Sequence, residues 1–212
     1  ERPDWIYELA DKEIREKVEP IVEGDAETLS MIDKAIDRFK ERQSSEETLN
    51  KAKEEFMGWK HKGWDGLGAF DAKERKLAND LLGFKGHIVF PTSAFDQVLA
   101  AKEDSVILGG VKALNRGMAS FCEADSRMYG AAYIPFNFGE EVALKYLQDA
   151  IKNNFSVILI DTIAPKGCKA FTHPDYDIVW QEVQDSDITI TLHVGADSGC
   201  EPVPLSFYNN AS

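Results

Sequence analysis

DITITLHVGADSG, residues 187–199, alternates like a strand and delivers one histidine at its far end. Thr189, Thr191 and His193 share one parity, and Ile190 and Leu192 share the other. Successive side chains of a strand point to opposite faces, so one face here is polar and finishes in an imidazole. An inward face that grows polar toward its C-terminal end suits the mouth of a barrel better than a surface covered by helices.

The residues ahead of this stretch set the rhythm around it. DYDIVWQEVQ (175–184) reads as a helix with Ile178, Val179 and Trp180 turned inward, and SVILID (156–161) as a strand buried on both sides. EEVALKYLQDAIKNN (140–154) carries Val142, Leu147 and Ile151 on one helix face, with Asn137 and Glu140 offering a cap. RMYGAAYIPF (127–136) and HIVFP (87–91) are two further strands, separated by the helical VKALNRGMASFCEA (111–124) with Val111, Leu114, Met118 and Phe121 along one side. FDAKERKLANDLLG (70–83) reads as a helix with Leu77, Leu81 and Leu82 inward and Gly83 as its stop. Strand and helix alternate, and no connection resembles a hairpin, which predicts parallel strands joined by crossover helices. Four such strands fit a small doubly wound sheet or part of a (β/α)8 barrel, and periodicity leaves the two even. No GxGxxG follows a strand, and none of the glycine clusters has Walker spacing, which counts against a dinucleotide-binding sheet.

The first 60 residues are helical and acidic in texture. Leu29, Ile32, Ile36 and Phe39 recur at helical intervals, and Ser44 with Glu47 has capping-box spacing ahead of a second helix ending near Gly58 or Gly63. Residues 1–63 are therefore read as a helical N-terminal segment and 64–212 as the α/β part. Across the chain 24 Lys and Arg face 37 Asp and Glu, a net charge of −13. A phosphate backbone is repelled by that balance, so nucleic acid is not expected as a partner. No apolar run approaches the roughly 20 residues that cross a bilayer, so no membrane association is expected either. Three cysteines, Cys122, Cys168 and Cys200, lack a regular spacing. That pattern suits a reducing, cytoplasmic compartment rather than a disulfide framework.

In parallel α/β folds chemistry gathers where strands finish, and the sequence puts Asp161 and His193 at such ends. A neutral imidazole there can ligate zinc or carry protons near neutral pH, and it can equally be a packed histidine bonded to a carbonyl. Asp161 is a candidate catalytic carboxylate or a cap for the loop DTIAPKG. His173, ahead of Pro174, reads as a loop residue ordering the start of a helix. His61 reads as surface, His87 as structural at the opposite end of its strand, and Cys200 as a passive thiol.

Three blocks taken in order carry a resemblance. GWDGLGAFDAKERKLANDLLGFKGHIVFPT, ALNRGMASFCEADSRMYGAAYIPF and THPDYDIVWQEVQDSDITITLHVGADSG are together similar to the amidohydrolase-related metal-dependent hydrolases. The likeness is greatest to the branch of aminocarboxymuconate-semialdehyde decarboxylase and related aromatic-acid decarboxylases. It spans about residues 64–199, and the acidic first 60 resemble a variable insertion. The resemblance implies a (β/α)8 TIM-type barrel of which strands two to five are present, with a divalent metal, usually zinc, at its mouth. It implies His193 as a metal ligand, a small carboxylated substrate, hydrolysis or non-oxidative decarboxylation, and a homodimer. The family's His-x-His pair has no counterpart in this sequence, and its later acid–base histidine and aspartate would lie beyond Ser212. A barrel of this type needs about 250 residues. The chain is accordingly expected to be a piece of a longer protein, inactive alone, with a non-catalytic scaffold or partner-binding protein as the alternative.

Overall fold

The computed structural model describes residues 8–22, 26–60, 63–91, 98–99, 101–161 and 169–192. From Lys12 the described residues form α1 Lys12–Val22, α2 Ala26–Arg42 and α3 Glu46–Met57. Helix α4, Ala72–Leu82, then leads into β1, His87–Val89. From there helix and strand alternate as α5 Asp104–Cys122, β2 Met128–Tyr133, α6 Glu140–Lys152, β3 Val157–Ile160, α7 Asp177–Asp185 and β4 Thr189–Leu192.

The four strands form one sheet in the order β1-β2-β3-β4, every pair parallel, and the sheet curls into a half-barrel. Register sets which side chains share a face. Ala132 lies beside Ile158 and Ile158 beside Ile190, while Tyr133 lies beside Leu159 and Leu159 beside Thr191. Ala132, Ile134, Ile158 and Ile160 are buried against Ala143, Leu147 and Ala150 of α6 and Val179 and Val183 of α7. Ala131, Tyr133, Val157 and Leu159 gather with Val106, Val111 and Leu114 of α5. Both faces of β2 and β3 are thus covered, as a continuous apolar run in a parallel strand requires. On β4, by contrast, Ile190 and Leu192 are 41% and 56% exposed, on the face that α6 and α7 cover elsewhere.

Capping chemistry sets most helix ends. Asp71 accepts from the Glu74 N–H to start α4, and Gly83 stops it in the left-handed conformation at φ 68°. The capping box ahead of α3 is formed by Ser45 with Thr48, one residue later than the Ser44–Glu47 pair expected from spacing. Ser44 instead turns its hydroxyl back to the Glu41 carbonyl of the preceding helix. Helix α3 ends at Gly58 and buries none of its residues. Helix α6 starts from Gly139 without a side-chain cap, so the expected Asn137 cap is not formed.

Several expected inner faces also differ. Helix residues advance about 100° each, so three consecutive side chains cannot all point inward. On α7 Val179 is buried, Trp180 half-buried and Ile178 54% exposed. On α4 Leu77, Leu81 and Leu82 are half-buried, and the face pressed inward carries Glu74, Ala78 and Asn79. On α6 Leu147 is buried with Ala143 and Ala150, while Val142 and Ile151 are half-buried. On α2 Ile32 and Ala35 are buried and Ile36 and Phe39 half-buried, and the Leu29 side chain lies outside the described residues.

Polar pairs tie the helical first part to the sheet. Arg42 at the end of α2 forks onto Glu74 of α4, with Nε 3.0 Å from Oε1 and Nη2 2.9 Å from Oε2. Asp11 accepts from Lys112 and Arg116 of α5, both at 2.8 Å. Among the described residues no helix is long and apolar enough to cross a membrane.

Candidate functional site

Asp161 follows β3 directly and is 4% exposed. Its parity is that of Val157 and Leu159, so it lies on the face shared with Tyr133 of the neighbouring strand. The Tyr133 hydroxyl donates to Asp161 Oδ2 at 2.7 Å, and the Asn137 side-chain amide donates to the same oxygen at 2.7 Å. Strand β2, strand β3 and the short turn Phe136–Phe138 thus meet on one buried carboxylate oxygen at the carboxyl end of the sheet.

Helix α5 braces this arrangement from the side. Asn115 donates through Nδ2 to the Tyr133 carbonyl and accepts the Tyr133 N–H through Oδ1, both at 2.9 Å. Strand β1 is only three residues long, and its last ladder partner on β2 is Gly130. The Asn115 amide therefore satisfies the backbone of Tyr133 where a longer neighbouring strand would. Tyr133 itself is fully buried, so its phenol is held at both ends, by Asn115 at the backbone and by Asp161 at the hydroxyl. Below the turn, Phe136 stacks between Tyr176 and Trp180, with ring centroids 5.2 and 5.0 Å away. The Tyr176 hydroxyl donates to the Phe136 carbonyl at 2.7 Å, which fixes the turn that carries Asn137.

Of the residues singled out from the sequence, Asp161 is thus placed in a polar cluster at the strand ends. His193, His61, Cys168 and Cys200 lie outside the described residues. His173 caps the short helical turn Pro174–Tyr176, its Nδ1 accepting from the Asp175 N–H at 3.2 Å, which is the ordering role read for it. His87 opens β1 at the end away from Asp161, with both ring nitrogens buried and unpartnered among the described residues. Burial first, and then Arg75, hold its imidazole below the ordinary pKa. The half-buried Cys122 thiol is pushed up to about 11 by burial, which leaves it a passive apolar side chain.

Tyr133, Asn115 and Asn137 were not expected at the site. Tyr133 could have been found by parity, since it ends MYGAAY on the face that Asp161 continues. Asn137 was read as a helix cap because asparagine before an acidic helix start has that local meaning. Asn115 carries no local signal, because its partner is 18 residues away and is a backbone group.

A catalytic zinc takes about three protein ligands and keeps one position open. Among the described residues no group of three or more His, Cys, Asp or Glu is placed to hold a metal ion, and Asp161 is engaged by Tyr133 and Asn137. The described residues alone do not supply the ligand set such an ion needs. What they form is a buried carboxylate fixed by donors from Tyr133 and Asn137, able to orient a polar group at the sheet's carboxyl end. No protein-family model matches the chain, and no curated protein matches it.

Proposed function

We propose that this chain is part of a (β/α)8-barrel enzyme of the amidohydrolase-related kind, cutting a small carboxylated compound by hydrolysis or by loss of carbon dioxide. One observation carries the reading: a buried carboxylate, Asp161, fixed by Tyr133 and Asn137 at the carboxyl end of a curled parallel sheet. That end is where parallel α/β enzymes assemble their sites. The order of the three sequence blocks supports the same family. In this reading His193 is a ligand of a divalent metal, zinc by preference, which when bound supplies Lewis-acid chemistry near neutral pH. The remaining ligands would come from outside the described residues. Asp161 is the site carboxylate that takes a proton from, or orients, the reacting group. Tyr133 and Asn137 keep it in one rotamer, and the aromatic stack around Phe136 keeps water from its underside.

The test uses the intact protein that contains this chain. Metal analysis is expected to find bound zinc, lost in His193→Ala and kept in Asp161→Asn. Turnover of small aromatic and aliphatic carboxylates is expected to fall by about a hundredfold or more in Asp161→Asn, the scale of removing a positioned acid–base group. Protein that is metal-free and stays inactive after zinc is added would overturn the proposal. A second reading, a non-catalytic partner-binding scaffold, is favoured by α3, which buries no residue. It predicts the same inactivity together with capture of a partner through residues 46–57.

A further inference from the structure

On a chain of net charge −13, the groove between α5 and α6 reverses sign. Lys112 and Arg116 of α5 and Lys152 of α6 line a cavity of about 240 Å³ whose walls include Tyr146, Asn153 and one acid, Asp149. Three cations against one carboxylate leave two positive charges in the lining. A third party cancels one of them. Asp11, just ahead of α1, accepts from Lys112 Nζ and Arg116 Nη1, each at 2.8 Å, and those two bonds, largest first, hold its carboxyl down at about 2. Its charge is felt on the opposite wall: the Tyr146 hydroxyl is pushed up to about 12 by burial, then by Asp149 and Asp11.

The groove is built to accept negative charge in two further respects. Lys152 makes no ion pair among the described residues, so its charge is uncommitted. Three of the carbonyls at the end of α6, those of Asp149, Ala150 and Ile151, already accept hydrogen bonds. The Asn153 N–H caps Asp149 and Ala150, and its side-chain amide donates to the Asp149 carbonyl at 2.7 Å. Tyr146 turns its proton away, onto the Leu108 carbonyl, and so presents an uncharged wall. A guanidinium beside an ammonium matches the fork of oxygens on a carboxylate or a phosphate. Asp11 supplies one charge where the lining balances two.

We infer that this groove is a binding site for a dianionic phosphate group, and that the Asp11 carboxylate is its resident competitor. Binding displaces the Asp11 carboxylate from Lys112 and Arg116, while the backbone there stays anchored by Ala10, buried in the core with Leu9 packed against it. Helix α1 stays docked beyond that point, because Ile14 packs so closely on Gly109 that a Cβ there would come within 2.6 Å of it.

The experiment is calorimetric titration of the intact protein that contains this chain with inorganic phosphate at pH 7.5, with sodium chloride holding ionic strength constant and acetate as the monoanion control. Phosphate is expected to bind and acetate not. Asp11→Asn is expected to tighten phosphate about three- to tenfold, and Lys152→Ala to weaken it about three- to fivefold, the scale of one partly exposed charge. Tighter binding of glycerol 2-phosphate than of inorganic phosphate would support the site and assign it to a phosphate ester. Equal binding would support it as a site for the free ion. The inference is overturned if acetate binds as well as phosphate, or if Asp11→Asn leaves affinity unchanged. Unchanged affinity in Lys152→Ala overturns it too, and that variant removes no ion pair on which folding depends.

Discussion

Removing the Glu74 carboxylate is expected to be among the most damaging single changes outside the apolar core. Its side chain is 3% exposed and that of its partner Arg42 is 10%. The carboxylate accepts four hydrogen bonds: two from Arg42, one from Gln43 at 2.9 Å and one from the Gly68 N–H at 3.0 Å. Glu74→Ala strands a buried guanidinium, and breaking one side of a buried pair costs about 3–5 kcal/mol. Gly68 cannot retreat to find water. Its φ is 74°, its carbonyl accepts from Arg75 at 2.6 Å, and a Cβ there would lie 2.4 Å from the Arg75 Cα. With a urea dependence of about 2–3 kcal/mol per molar, the unfolding midpoint should fall by about 1–2 M. The double variant Arg42→Leu with Glu74→Leu removes both charges together. It should cost only about 1–2 kcal/mol, chiefly the orphaned Gly68 N–H, since apolar replacements of buried pairs are close to neutral. Urea unfolding followed by circular dichroism at 25 °C measures both. A Glu74→Ala loss under about 1 kcal/mol, or a double variant no better than Glu74→Ala, would refute the claim that this pair closes the joint between α2 and α4.

Two further outcomes can be checked on the same instrument. Gly130→Ala would place a Cβ 2.6 Å from Met118 Cγ and 3.2 Å from Cys122 Sγ. It should cost about 1–3 kcal/mol by overpacking, with Met118→Ala in the same chain recovering part of that loss. For pH, the His87 imidazole is held below its ordinary pKa of 6.5 by burial and then by Arg75 of α4, with Asp125 opposing and Arg127 adding to the depression from the turn before β2. The unfolded chain then binds a proton that the folded chain refuses. Stability should therefore decline as pH falls below about 6.5, until the folded imidazole itself titrates. His87→Gln should flatten that part of the stability–pH curve, and an unchanged slope would show that the ring is accessible to protonation.

What the sequence determined by itself is the succession of elements. Alternation and helical spacing are local signals, and they suffice for four parallel strands with helices between, for the Gly83 helix end, and for His173 at the start of its turn. Asp161 was also readable, because a carboxylate straight after VILI lands at a strand's carboxyl end in any parallel sheet. Partnership across the fold was not readable. Asn137 looks like a cap in its own neighbourhood and becomes a donor to Asp161 only when β2 lies beside β3. Asn115 joins the site because β1 is too short to satisfy Tyr133. Periodicity points Leu77, Leu81 and Leu82 of α4 to the core, yet Glu74 is buried there too, because Arg42, 32 residues earlier, is there to meet it. Local spacing records which way a side chain points along its own element, but a buried polar group goes where its partner is, and only the assembled fold brings that partner near.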